Sequence, residues 1–287
     1  MLRKYFITAI IAIAAIATLY SQYQTYLENP WTRDGQVRAH IIQITPRVTG
    51  QIINMQIEDN SQVKRGDLLF EIDPSIYQAS LNKAIANEKQ AATLVDKAKN
   101  EAHRAVNLEK LTPGAQSELT LNNLQNAIDT AEANLLMAKA QVEEARLNLQ
   151  YTKVTAPTDG YITNLNYRVG SQVIANNPVV ALIDASSFWI EGFFKETDLM
   201  DVDVQDKAQV TLMMRDHAML KGQVQSIGYG IAKSDGSTGN ALLPNVNPSF
   251  QWIRLAQRIP VKIKLDHLPE DMQLRIGMTA SVKILKH

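Results

Sequence analysis

The sequence predicts a mainly β chain interrupted by one long α-helical hairpin, ending in a small β-barrel and preceded by a transmembrane helix. Three observations predict this class. Tyr5 to Tyr20 is an apolar run without charge, residues 78–150 contain no Phe, Trp or Tyr, and two similar β-segments flank that stretch at a constant offset of 110 residues. With 29 basic against 29 acidic side chains, the chain lacks the basic excess of a nucleic-acid-binding module. It has no cysteine, which excludes disulfides, thiolate metal sites, a cysteine nucleophile and lipid attachment through an N-terminal cysteine.

The first element is the apolar run. Its 16 residues span roughly 24 Å as a helix, somewhat short of a hydrocarbon core of about 30 Å. Arg3 and Lys4 precede it, which predicts a cytoplasmic N-terminus with the rest of the chain on the far side. Tyr20, Tyr23 and Tyr26 are placed like an interfacial aromatic belt. A cleaved signal peptide is the alternative, although the small residues Ala15 and Ala17 lie inside the run rather than after it. Either reading exports the remainder. No second apolar run approaches 18 residues, so a multi-pass transporter is excluded.

The second element is the hairpin. Alanine occurs 15 times in residues 78–150, and the only Pro and Gly there are the adjacent Pro113 and Gly114. Two helices broken once have that composition, because Pro lacks the N–H and Gly is a poor helix former. In the second helix Leu121, Leu124, Ile128, Ala131, Leu135, Ala138, Val142, Ala145 and Leu149 keep a strict 3-4 spacing. That is a coiled-coil seam. The first helix repeats it more weakly through Leu81, Ala84, Ala91, Val95, Ala98, Ala102 and Ala105, with Glu88 as a break. A short turn makes the two helices antiparallel. The acidic residues Glu88, Glu101, Glu109, Glu132, Glu143 and Glu144 interleave with Lys and Arg and read as a solvated face with some salt bridges. Taken alone, the segment also suits a simple dimerisation coiled coil.

The third element is the repeat. Residues 50–63 (GQIINMQIEDNSQV) and 160–173 (GYITNLNYRVGSQV) agree at six of fourteen positions, and both copies lead to a short apolar strand ending in Ile-Asp, at Asp73 and Asp184. Two β-halves of this size leave open edges unless they fold against each other. The hairpin is therefore an insertion in one β-domain. After Asp184 the chain reads as strands at 188–194, 208–214, 220–227, 252–255, 259–265 and 278–285, with loops at 234–239 and 244–248. Short strands at that spacing suggest a small barrel, with Pro260 at a strand start or edge.

The halves resemble the split lipoyl (biotinyl-like, barrel-sandwich hybrid) domain of the periplasmic adaptor, or membrane fusion protein, family of the HlyD type. Three segments, 29–35 (NPWTRDG), 159–166 (DGYITNLN) and 252–261 (WIRLAQRIPV), resemble the branch serving aromatic carboxylic acid (p-hydroxybenzoic acid) efflux pumps. The resemblance implies that residues 1–22 are the cytoplasmic N-terminus and anchor, and 23–44 a membrane-proximal linker and strand. It makes 45–74 and 152–185 the lipoyl-like halves, 75–151 the hairpin with its tip at 112–117, and 186–287 the barrel and membrane-proximal region. It implies a non-enzymatic single-pass inner-membrane protein with its bulk in the periplasm. Its partners would be an inner-membrane exporter, an outer-membrane channel of the TolC type and further copies of itself, in a ring of about six. An adaptor for a multidrug or other exporter, and a structural envelope coiled-coil protein, are the alternative readings.

At the tip the family uses an Arg, a Leu and a Ser to engage the channel. Arg104 and Leu108 fit the first two, Leu111 is an alternative leucine, and Ser117 fits the third, although it also reads as the N-cap of the second helix. In true lipoyl carriers a lysine at a tight turn between the halves receives the cofactor; here the insertion occupies that place and only Lys64 and Lys83 flank it. No cofactor is expected. The histidines at 40, 103, 217, 267 and 287 lack metal-ligand spacing, and Gly228, Gly230, Gly236 and Gly239 lack the strand–turn–helix context and Lys-Ser/Thr of a phosphate loop.

Overall fold

The computed structural model describes residues 13–20, 29–214, 219–230, 256–269 and 272–286. In chain order the elements begin with β1 (Trp31–Arg38), β2 (Ile41–Ile44), β3 (Gly50–Met55), β4 (Gln62–Val63) and β5 (Leu68–Ile72). Helices α1 (Ser75–Leu111) and α2 (Glu118–Gln150) follow, then β6 (Lys153–Thr155), β7 (Gly160–Thr163), β8 (Gln172–Val173) and β9 (Val180–Asp184). The last strands are β10 (Trp189–Lys195), β11 (Lys207–Leu212), β12 (Met219–Ile227), β13 (Arg258–Leu265) and β14 (Thr279–Leu285). They form two units, Ile41–Asp184 and Met1–His40 with Ala185–His287.

The transmembrane anchor expected from the apolar run is not supported. Among the described residues no helix is long and apolar enough to cross a membrane. Residues 13–20 are helical, and a helix of that length covers only about 12 Å against a core of about 30 Å. The single-pass inner-membrane location is overturned with it. Tyr20, placed in the aromatic belt, is the exposed last residue of this short helix. Arg3, Lys4, Tyr23, Tyr26, the strand expected at 252–255 and the loops expected at 234–239 and 244–248 lie outside the described residues.

In the unit Ile41–Asp184, two four-stranded sheets run β2-β9-β7-β4 and β6-β5-β3-β8. The repeat carries β3 onto β7, β4 onto β8, β5 onto β9 and β2 onto β6, so the second sheet is the first with the halves interchanged. Each copy gives its shortest strand to the other. Val63 of β4 pairs with Gly160 of β7, and Val173 of β8 pairs with Gly50 of β3. The exchange repeats in the backbone: Ile162 N donates to Ser61 O and Ile52 N to Ser171 O, both at 2.9 Å. Ile52, Leu69, Phe70, Ile72, Ile162 and Leu182 form the fully buried centre. Neither half could bury these side chains alone, which is the physical reason the two close on each other.

The insertion leaves this domain between paired strands, since β5 and β6 are neighbours (Phe70 with Val154, Glu71 with Lys153). At its root Asp73 accepts from the Ser75 amide (2.9 Å) and hydroxyl (2.6 Å), and the Tyr77 hydroxyl donates to Thr49 O (2.7 Å). Buried Thr152 donates its hydroxyl to Leu149 O (2.7 Å), closing the C-terminal end of α2. Helices α1 and α2 have 37 and 33 residues, about 55 and 50 Å of rise. They lie antiparallel, because Ala84 near the start of α1 clusters with Val142 and Ala145 near the end of α2. Lys99 also meets Glu132 at 2.7 Å. Every seam position predicted from the sequence is buried or half-buried, but only Ala84, Ala91, Val95, Ala138, Val142 and Ala145 are buried. Leu121, Leu124, Ile128, Leu135 and Leu149 stay half-covered because alanines opposite offer little surface. The coiled-coil expectation is thus met as two paired helices and not as a continuous apolar core.

In the other unit β1-β10-β13-β12-β11-β14 close into a six-stranded antiparallel barrel. Alternate residues of each strand point inward, and Val37, Ile190, Val210, Val261, Ile263 and Ile284 fill the centre. The two terminal strands of the fold pair with each other, Trp31 with Lys283 and Gly35 with Ala280. Pro260 stands in β13 just past its last pair with β12 (Ile227 with Val261), where its carbonyl accepts from Gly228 N (2.8 Å) and its missing N–H costs no ladder bond.

Candidate functional site

The turn between α1 and α2 is the candidate interaction site, and its shape follows from six residues. Helix α1 ends where Pro113 cannot donate, and Thr112 N still bonds Leu108 O (2.9 Å). Gly114 has φ +89, a conformation that Gly adopts without strain, and Ala115 N returns to Thr112 O (3.1 Å). Two turn amides remain, and a side chain takes both. Glu109 accepts from Gly114 N at 2.8 Å with one carboxylate oxygen and from Gln116 N at 2.7 Å with the other. These bonds, the one from Gly114 first, hold the Glu109 carboxyl below its usual range. Ser117 is the N-cap of α2: its hydroxyl accepts from Thr120 N (3.1 Å) and lies 2.8 Å from the Thr120 hydroxyl.

Arg104, Leu108 and Leu111 stand at steps of four and three residues, on one face of α1. All three are exposed; Leu111 shows 82% of its surface and Leu119, in the first turn of α2, 70%. Large apolar side chains so exposed on both sides of a tight turn mark a contact surface more than a solvated end. Of the residues expected at the tip, the structure brings Leu108, Leu111 and Ser117 around the turn. Arg104 lies about one helical turn further back, and Ser117 is engaged in capping. The residue that sequence reasoning missed is Glu109, read there as part of a solvated face. An acid five residues before the Gly of a Pro-Gly turn was the available signal.

The barrel offers a second surface. Around the start of β1, the end of β10 and Lys286 lies a groove of about 680 Å³ lined by Trp31, Phe193, Met200, Arg33, Lys195 and Arg258 among others. Arg258 pairs with Asp34, Lys286 with Asp201 at 3.4 Å, and the Arg33 guanidinium lies 5.6 Å from the Trp31 ring centre. Among the described residues no group of three or more His, Asp or Glu could hold a metal ion. Lys64 sits in a turn whose amide bonds Asp67 (2.7 Å), and Lys83 is exposed on α1. The strands that a lipoyl carrier joins by its lysine turn, β5 and β6, are connected here through the two helices.

The chain matches two family profiles, "RND MFP, barrel-sandwich hybrid domain" over residues 40–185 and "AAEA-like beta-barrel domain" over residues 187–285. It is 37% identical over 281 residues to the uncharacterized protein YdhJ of Escherichia coli (strain K12), covering 98% of this chain and 97% of that one. In fold it is similar to the membrane fusion protein Spr0693 of Streptococcus pneumoniae R6 (TM-score 0.65, 16% identity, 90% of this chain and 99% of that one). It is likewise similar to MacA of Actinobacillus actinomycetemcomitans (TM-score 0.63, 23% identity, 90% and 79%). A barrel-sandwich domain split by a helical insertion and followed by a six-stranded barrel agrees with these matches element by element, and the chain belongs to the membrane fusion protein family, the non-enzymatic adaptors of tripartite efflux pumps.

Proposed function

We propose that this chain is the periplasmic adaptor of a tripartite pump, coupling an inner-membrane exporter to an outer-membrane channel of the TolC type. In this reading the barrel unit engages the exporter. The turn 112–117, with Leu108, Leu111 and Ser117 around it and Arg104 behind, engages the channel. The paired helices act as a two-stranded coiled coil whose outer faces meet neighbouring copies in a ring of about six. The observation that carries the reading is the tip itself: a rigidly hydrogen-bonded turn that keeps Leu111 and Leu119 exposed at the end of an insertion with no catalytic group on it.

The cargo assigned here is aromatic carboxylic acids, from the resemblance of segments 29–35, 159–166 and 252–261 to that branch. Export of an aromatic carboxylate from cells lacking the chain, complemented with wild type or with Leu108→Asp, Leu111→Asp, tests both parts. The wild type restores export and the double variant does not, at equal expression and helicity. Export of unrelated drugs but not of aromatic carboxylates by the wild type would move the cargo to a multidrug exporter and leave the adaptor role standing.

A further inference from the structure

We propose that Glu109 is the positioning residue of the tip: by clasping the turn from its α1 side it sets the spacing between the Leu108–Leu111 face and the start of α2 on which docking depends. The inference rests on the tip reading above. It goes beyond it by naming a residue that touches no partner and controls how the contact face is presented.

The geometry leaves one way to close this turn. Between Leu111 and Glu118 the chain must reverse direction, and a reversal exposes amides that neither helix can pair. Thr112 and Ala115 find backbone carbonyls, and Pro113 has no amide to satisfy. Gly114 and Gln116 are served only by the two oxygens of Glu109, at 2.8 and 2.7 Å. Bonds from a neutral N–H to an ionised carboxylate are stronger than those between neutral groups. The lowered titration range of Glu109 agrees, since it keeps the carboxylate charged at neutral pH. Glu109 is also half-buried at the seam position following Ala105, so its backbone is fixed by helix pairing while its side chain reaches forward over the turn. It thereby ties three things into one body: the seam, the turn and the exposed leucines beside it.

Other side chains cannot do the same. Glutamine has the reach but only one acceptor oxygen, and its NH₂ group would face an N–H; aspartate is one methylene too short. Ser117, the other anchor of the turn, is committed to α2 through Thr120 and cannot replace the clasp.

The test uses the full-length chain with Glu109→Gln, and with Leu108→Asp, Leu111→Asp as reference. Hydrogen exchange at the amides of Gly114 and Gln116 should quicken about tenfold or more in Glu109→Gln while the bodies of α1 and α2 stay protected. Export should fall in parallel, and raising the level of the Glu109→Gln chain should restore it, because a mispositioned contact docks weakly but is still present. The leucine variant should not be restored by the same increase. Faster exchange with export unchanged at native expression would overturn the positioning role and leave the tip reading intact. Unchanged exchange would overturn the clasp itself. Full export by the leucine variant would overturn the tip reading and this inference with it.

Discussion

At the residue scale the repeat is written most plainly in backbone angles. Asn60 and Gly170, 110 residues apart, both have positive φ (64 and 94), and so do Gly66 and Asn176 (91 and 65). Each pair holds one Gly and one Asn, the two residues that enter the left-handed region at least cost. Gly170→Asn should therefore change stability little, since only the Gln51 side chain approaches within 4 Å of an added Cβ. Gly170→Val should cost about 1–2 kcal/mol, read as a lower thermal midpoint. Gly50 and Gly160 form another such pair with a different cause: a Cβ would strike the Ile72 side chain at one and the Ile183 carbonyl oxygen at the other. At the tip, Ser117→Ala should remove about 1 kcal/mol of capping, seen as faster exchange at Glu118 to Leu121 and not in the β units. Glu109 adds a pH dependence. Its folded-state value is lowered from the ordinary 4.5, first by the bond from Gly114 and then by that from Gln116. Its contribution is thus complete above that ordinary value and is lost as pH falls through the lowered one. Protection of the Gly114 amide should disappear on acidification in wild type and be absent already at neutral pH in Glu109→Gln. Asp73, lowered first by the Ser75 hydroxyl, should release the root of α1 in the same direction at a lower pH.

At the element scale the paired helices depend on small residues. Ala84 packs on Val142 and Ala145, and Ala84→Leu should separate the helices at that level at a cost of about 1–3 kcal/mol, read as lost helicity on heating. The Lys99–Glu132 pair is exposed, with Lys99 raised above its usual range by the hydrogen bond from Glu132. Lys99→Glu should weaken the pairing slightly and the charge-reversed double variant restore it, measured as a double-mutant cycle. The two helices and their break were legible in the sequence because Pro113-Gly114 and the 3-4 spacing are local signals. The strand exchange was not. Identity between residues 50–63 and 160–173 says that the copies are alike, but not that Val63 crosses to Gly160 and Val173 to Gly50. Glu109 escaped for the same reason: its charge is visible in a sequence, while its two bonds exist only once the turn is folded.

At the scale of the whole molecule, both units are assembled from distant parts of the chain. The barrel needs β1, yet Val37 is the only fully buried residue among the mostly polar Trp31–Arg38. The sequence therefore reads there as a linker and strand, and the pairing with β10 and β14 comes from partners more than 150 residues away. The apolar N-terminal run misled in the opposite sense, because composition alone promised a span that the described helix at 13–20 is too short to make. What the two units have in common is that neither carries a metal cluster among the described residues, while each presents a surface, the turn at 112–117 and the groove beside Trp31. The absence of native cysteine allows the central claim to be tested with a single reactive site. With Leu111→Cys as the only thiol, a bifunctional crosslinker applied to intact cells should join the chain to an outer-membrane channel, identified by mass spectrometry, and Leu108→Asp in the same chain should abolish the product. Crosslinks to a second copy of this chain alone, with no channel captured and export unaffected by the added Leu108→Asp, would contradict the account.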